Sequence, residues 1–242
     1  TLSLHDALPI SRKDKLLSSD HFTVDGTLID AWASFKSFKR KDDDEPPKPG
    51  DGTGMVDFKG EKRSNATHQS TTDPDAKLMR KGNGQPAKLS YGGHALMENR
   101  SGLCVDLLIT DATLAEHQAA RQLLTRARRR KIHPKTLGAD KGYHVKDFVQ
   151  HLREHKIKPH IARIDGRKTP GLDGRTSCTE GYKVSQRKRK RVEEIFGWLK
   201  TVGGMRKTRF IGEARTQIAA YLSAAAYNLL RIAKLQRAGS EA

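Results

Sequence analysis

KLSYGGHALMENRSGLCVDLLITDATLAEHQAARQLLTRARRRKIHPKTLGAD, residues 88–140, holds the order of elements that decides the fold. Lys88 to Met97 alternates in the manner of a strand, Asn99 to Gly102 supplies a turn, and Leu103 to Thr110 is an apolar second strand, so the three form a hairpin. Leu114 to Arg130 then follows helical spacing, with Leu123, Leu124 and Ala127 on one face. Its end is basic (Arg126, Arg128, Arg129, Arg130), which suits the negative end of a helix dipole. Thr136 to Ala139 is a short strand that runs into Asp140.

The pattern continues outward in both directions. Downstream, His144 to His155 has Val145, Phe148, Val149 and Leu152 in helical phase, and Lys158 to Ile164 reads as a further strand. Asp165 to Glu180 is a polar, Gly-rich loop. Ser185 to Lys200 reads as one helix, basic at its start, and Ala214 to Leu235 as a long helix with Ile218, Leu222, Ala225, Leu229 and Ile232 as its apolar face. Upstream, His21 to Val24 is a short strand ending in an Asp25-Gly26 turn, and Leu28 to Phe38 reads as helical. Arg40 to Gly60 is broken by the Asp42 to Glu45 run and by Pro46, Pro47 and Pro49, which predicts a loop. Ser64 to Pro86 continues in polar and turn residues. A strand, an insertion, two more strands and then alternating helices and strands imply an α/β domain. It has a mixed sheet with helices on both faces, in the order of an RNase H-like fold.

Three acids stand where that fold would bring them together. Asp25 closes the first strand, Asp140 closes the Thr136 to Ala139 strand, and the ends of neighbouring strands in an open sheet define a site. Glu193 shares a helix face with Arg189 and Lys200, while Val192, Ile195, Phe196 and Leu199 form the face that packs on the sheet. Phosphodiester chemistry uses two divalent ions about 4 Å apart, and Mg²⁺ prefers carboxylate oxygens. Gly26 and Gly142 leave room beside the two aspartates. Taken singly, Asp25 and Asp140 read as turn aspartates and Glu193 as a solvated helix acid. Their joint placement favours a metal site.

Plainer readings apply to the other candidates. Glu194 points about 100° away from Glu193. Asp30 and Asp111 are weaker rivals, Asp73 and Asp75 are expected to make turns with Pro74, and the Asp42 to Glu45 run reads as solvated. His94, His144 and His160 read as packing or surface histidines, His144 being close enough to Asp140 to meet substrate. Trp198, Tyr221 and Tyr227 read as packing residues.

The net charge of +18, from 46 Lys and Arg against 28 Asp and Glu, points to a polyanionic partner. Arg187, Lys188 and Arg191 beside Arg189 and Lys200 are the expected contacts to nucleic-acid phosphates. Cys104 and Cys178 make no CxxC pair and no zinc spacing, which fits a reducing, cytoplasmic compartment. No apolar run is long enough to span a membrane. Thr1 to Ile10 (TLSLHDALPI) has neither part of a signal peptide and resembles a translated sequencing-adapter read. It is set aside from the fold, and the natural protein is expected to begin further upstream.

HFTVDGTLIDAWAS (21–34), THQSTTDPDAKLMRKG (67–82), GADKGYH (138–144), RKRVEEIFGWLKTVGGMRKTRFIG (189–212) and SAAAYNLLRIAKL (223–235) resemble, block by block and in order, DDE transposases of the IS5 group within the larger IS4-like set. The resemblance covers nearly all of residues 11–236. It implies an RNase H-like catalytic domain over residues 21–236, with residues 40–87 as an insertion, residues 1–20 as a non-native start and remnant, and residues 237–242 as a tail. It also implies a triad of Asp25, Asp140 and Glu193, two Mg²⁺ or Mn²⁺ ions, and strand cleavage and transfer on transposon-end and target DNA. The working form would be a homo-oligomer in a synaptic complex. The family's Y-R-E-K signature falls on Arg189, Glu193 and Lys200, with Gln186 in the place of its Tyr. Two alternatives remain at this level: a nuclease of the same fold that cuts without joining, and an inactive DNA-binding remnant.

Overall fold

A computed structural model describes residues 13–14, 16–41 and 63–240. The Thr1 to Ile10 stretch and the Asp42 to Glu45 run lie outside the described residues.

The strands are β1 (His21–Asp30), β2 (Phe38–Arg40), β3 (His68–Ser70), β4 (Lys77–Met79), β5 (Lys88–Glu98), β6 (Leu103–Asp111), β7 (Thr136–Ala139) and β8 (Lys158–Ile161). The helices are α1 (Glu116–Arg129), α2 (Lys146–Glu154), α3 (Gly174–Ser177), α4 (Glu180–Lys188), α5 (Val192–Thr201) and α6 (Glu213–Ser240). In the main sheet β5 lies between β1 and β6, β7 lies beside β1, and β8 is outermost. β4 joins the same sheet by pairing with the start of β5. β1, β5 and β6 are antiparallel neighbours, whereas β7 and β8 run parallel to β1. This is the mixed sheet expected of an RNase H-like domain.

Helices cover both faces. α1 and α2 bury Leu123, Leu124, Phe148, Val149 and Leu152 against Phe22, Val24, Leu96 and Leu137. α5 and α6 bury Val192, Ile195, Leu199, Ala220 and Ala224 against Ile29, Tyr91, Met97, Leu107 and Ile109 on the other side. Alternate residues of β5 and β6 therefore feed two cores, which is why almost every residue of both strands is buried. Among the described residues, no helix is long and apolar enough to cross a membrane.

Four local expectations are corrected. β1 does not stop at Asp25: it runs to Asp30, paired residue by residue with Ser90–Glu98 of β5. The expected helix from Leu28 is displaced by that ladder, and only a 3₁₀ turn at Phe35–Ser37 remains. Tertiary pairing here overrides weak local propensity. The basic helix expected from Ser185 starts at Glu180, where Thr179 caps it by accepting from the Tyr182 N–H at 3.2 Å, and a 3₁₀ turn at Arg189–Arg191 splits it from α5. The buried face of α6 also differs. Ala225 and Ile232 are buried, but Ile218 (58% exposed), Leu222 (46%) and Leu229 (39%) face outward, and Thr216, Ala220, Ala224 and Asn228 face the sheet.

Amide chemistry sets that rotation. Among the described residues, no strand pairs with the outer edge of β6, so its backbone polar groups need other partners. The Cys104 N–H donates to Asn228 Oδ1 at 2.9 Å, and Asn228 Nδ2 donates to the Cys104 carbonyl at 2.8 Å. Three turns earlier, Gln217 takes the Ile109 N–H at 2.8 Å and donates to the Leu107 carbonyl at 2.9 Å. The N-terminus of α6 is held by the segment before β4. Asp73, fully buried, accepts from Tyr91 Oη at 2.7 Å and from the Gly212 N–H at 3.2 Å, and Asp75 accepts from the Glu213 N–H at 3.0 Å.

Candidate active site

Asp25 and Asp140 stand at one level of the sheet because of register. β7 pairs in parallel with β1 only as far as Thr23 opposite Gly138, and each aspartate lies two residues further along its own chain. β7 ends at Ala139, so β1 has an open edge at Asp25. There the Asp25 carboxylate accepts from the Gly26 N–H at 2.9 Å. Asp140 leaves its strand as the cap of a 3₁₀ turn, Lys141–Tyr143, accepting from the Gly142 N–H at 2.8 Å.

Glu193 lies in the first turn of α5, exposed, on a helix anchored by Val192, Ile195 and Leu199. Burial pushes the Asp25 carboxyl up to about 6; the Gly26 N–H and, less strongly, Arg189 oppose that rise, while Asp140 and Glu193 add to it. Asp140, Arg189 and Glu193 thus all lie close enough to act on one carboxyl group.

Alternation along β1 points Asp25 and Thr27 towards α5 and Gly26 towards α1. Consistent with this, Lys200 Nζ at the far end of α5 donates to Thr27 Oγ1 at 2.5 Å. Two residues of strand place that ammonium roughly 7 Å along β1 from the level of Asp25. Burial, then Lys81 and Arg206, lower the Lys200 pKa. These cations share a cleft of about 210 Å³ with Lys88 and Asp30. Gln186, which stands where a tyrosine was expected, accepts from Arg189 Nε at 3.0 Å and donates to the His160 carbonyl. It ties Arg189 to β8. Arg191 is turned away, donating to the carbonyls of Asn99 at 2.7 Å and Arg100 at 3.2 Å. Arg187 and Lys188 are exposed, Arg187 lying 3.8 Å from Glu180.

A fourth acid, Glu116 at the start of α1, enters this cluster and was not singled out in the sequence. The room expected at the two glycines is taken by its carboxylate. A Cβ on Gly26 would stand 2.9 Å from Glu116 Oε1, and one on Gly142 would stand 3.3 Å from Glu116 Oε2 and 3.1 Å from Asp140 Oδ1. Burial, reinforced by Asp140 and Asp25, pushes the Glu116 carboxyl up to about 7. The readable signal was a strand running into an acid-initiated helix at the sheet end where Asp140 lies. A lone glutamate there otherwise reads as a partner of the helix dipole.

Among the described residues, none of the four acids has an ion-pair partner, so their charges are relieved by no lysine or arginine contact. Hard oxygen donors in mutual repulsion fit Mg²⁺ or Mn²⁺. The acids do not close into a single-ion cage. The one trio of ligand atoms all within 4.8 Å of one another, among the described residues, is His151 and Glu154 of α2 with His155 just past its end. A two-ion site spreads its ligands further than that.

His144 and His160 are buried. His144 is fully buried and its Nδ1 accepts from the Ile164 N–H at 2.9 Å, which fixes the segment after β8. Trp198 meets Tyr227 edge to face at 5.9 Å between centroids.

A family model described as Transposase DDE domain matches residues 61–229, a span that contains Glu116, Asp140 and Glu193 and begins after Asp25. Among solved structures the chain is similar to a piggyBac transposase synaptic complex with hairpin DNA, at a TM-score of 0.50 and 11% identity, over 98% of this chain and 53% of that one. A Mos1 transposase paired-end complex with left transposon end gives a TM-score of 0.30 at 10% identity, over 94% of this chain and 57% of that one. A pre-cleavage Mos1 transpososome gives 0.28 at 10%, over 96% and 59%. The chain spans little more than half the length of these proteins. No curated protein matches. At such identities the likeness to piggyBac transposase speaks for the fold alone.

Proposed function

Since the chain belongs to the Transposase DDE domain family, we propose that it cuts DNA at the ends of a mobile element and joins the freed 3′ ends to target DNA. Asp25, Asp140 and Glu193 are assigned to hold two divalent ions, Mg²⁺ or Mn²⁺. Within the family, the five sequence blocks assign it to the IS5 group. What supports the reading is the parallel register of β1 and β7, beyond which Asp25 and Asp140 each follow by two residues, with Glu193 in the first turn of α5.

When bound, the ions would activate the attacking oxygen and stabilise the leaving one. The chain supplies the rest. The sheet fixes two carboxylates and α5 fixes the third, so positioning is done before DNA arrives. Arg189, oriented by Gln186, and Lys200, anchored on Thr27, flank the acids and suit the phosphates on either side of the scissile bond. Arg187 and Lys188 extend the basic surface along α4. Transposon ends and target DNA are the partners in this reading, with more than one copy of the chain in the synaptic assembly; the similar piggyBac transposase structure is a synaptic complex with hairpin DNA.

The test uses a labelled element end. Asp25→Asn, Asp140→Asn and Glu193→Gln should each reduce Mg²⁺-dependent cleavage and strand transfer by at least about 10³-fold, while DNA binding in a gel-shift assay stays within a few-fold of wild type. Cleavage without joining in the wild-type protein would favour the nuclease reading. Loss of binding in step with cleavage would count against a catalytic role for the triad.

A further inference from the structure

We infer that Glu116 is a fourth carboxylate ligand of the metal ions assigned to Asp25 and Asp140, so that this centre is built from four acids rather than three. The inference rests on the reading of those two residues as metal ligands.

Two observations carry it. The first is placement. One point, the Cβ position of Gly142, lies 3.1 Å from Asp140 Oδ1 and 3.3 Å from Glu116 Oε2. A second, the Cβ position of Gly26, lies 2.9 Å from Glu116 Oε1, one residue along β1 from Asp25. Glu116 therefore stands beside Asp140 and against the α1 face of β1, at the residue next to Asp25. Any side chain at Gly26 would collide with it.

The second observation is a buried acceptor with no partner. His94, opposite Gly26 on β5, is 3% exposed. Its Nε2 bonds Thr110 Oγ1 at 3.1 Å, and that hydroxyl spends its own proton on the Asp111 carbonyl at 2.9 Å. His94 Nε2 must then be the donor, which leaves Nδ1 as a bare lone pair. Nδ1 has no partner and stands 3.1 Å from the same Gly26 Cβ position that Glu116 Oε1 approaches. The fully buried Tyr143 hydroxyl, on the turn that Asp140 caps, is also unpartnered. A lone pair facing a carboxylate calls for a hydrogen between them; a protonated Glu116 gives one at low pH, and with the carboxylate ionised, water on a divalent ion would give it. A glutamate serving only the helix dipole needs neither glycine nor this histidine.

Mn²⁺ binding to the intact chain, read as the loss of free-ion signal in electron paramagnetic resonance, tests this without DNA or turnover. Glu116→Gln keeps the shape and should weaken Mn²⁺ binding about tenfold or more. Gly26→Ala, which displaces Glu116 and leaves all four acids in the chain, should weaken it in the same direction and serves if the first variant fails to fold. Glu194→Gln, an exposed acid on α5, should bind as wild type does. Wild-type affinity in Glu116→Gln, or in Gly26→Ala if that variant stands in for it, together with lost binding in Asp25→Asn, overturns the role of Glu116 and leaves the other ligands in place. Wild-type affinity in Asp25→Asn overturns the metal reading itself.

Discussion

At the scale of single residues, the site is a set of acids held in each other's way. Asp25, ordinarily near 3.8, is pushed up to about 6, chiefly by burial. Its folded-state pKa is raised, so its contribution is neutral below the unfolded value and becomes a penalty as pH rises from about 4 through about 6. His21, His94 and His160 act in the opposite sense. Burial holds each near 4, so they cost stability as pH falls from about 6.5. The two effects overlap, and a difference measurement separates them. In chelator, Asp25→Asn should be more stable than wild type by roughly 1–3 kcal/mol at pH 8 and about equal to it at pH 4, measured by urea denaturation. A constant offset across that range would show that Asp25 is not held up by its surroundings. The same residues show what a sequence can carry. Asp25, Asp140 and Glu193 are readable because each sits at the end of a patterned element. Glu116 is not, because its partners are a glycine and a histidine on other strands.

Among the elements, α6 is the instructive one. Its sequence offers an apolar stripe through Ile218, Leu222 and Leu229, and the fold leaves that stripe outside. Asn228 and Gln217 close the free edge of β6 instead. An unsatisfied buried backbone group costs about 1–3 kcal/mol, and the Cys104 N–H and carbonyl both depend on Asn228. Asn228→Ala should therefore lower stability by roughly 2–4 kcal/mol, whereas Ile218→Ala should change it by less than about 0.5 kcal/mol, both by chemical denaturation. Equal effects would mean that apolar burial, not edge closure, holds the helix. Hydropathy periodicity ranks side chains by oil-likeness and cannot see that an edge strand elsewhere needs amide partners.

For the whole molecule, the excess of 18 positive charges is distributed with a purpose that composition does not reveal. Arg126 and Arg130 are 2.9 and 3.1 Å from the buried Asp106, and Arg191 is bound to the hairpin turn. Arg187 and Lys188 remain at the surface. Their joint replacement by Ala should reduce the dependence of DNA affinity on log salt by about two, at roughly one per phosphate contact. Arg191→Ala should instead lower thermal stability with little change in that slope. An unchanged slope in the double variant would remove α4 from the DNA surface. The sequence by itself determined most of the alternation of strands and helices, the positive charge and the candidacy of Asp25, Asp140 and Glu193, because period and composition are local properties of a chain. Only the tertiary structure decided how far β1 extends, which way α6 turns and that Glu116 stands beside Asp140. Each of those depends on backbone or carboxylate groups finding partners in segments distant along the chain, and no local pattern encodes that pairing.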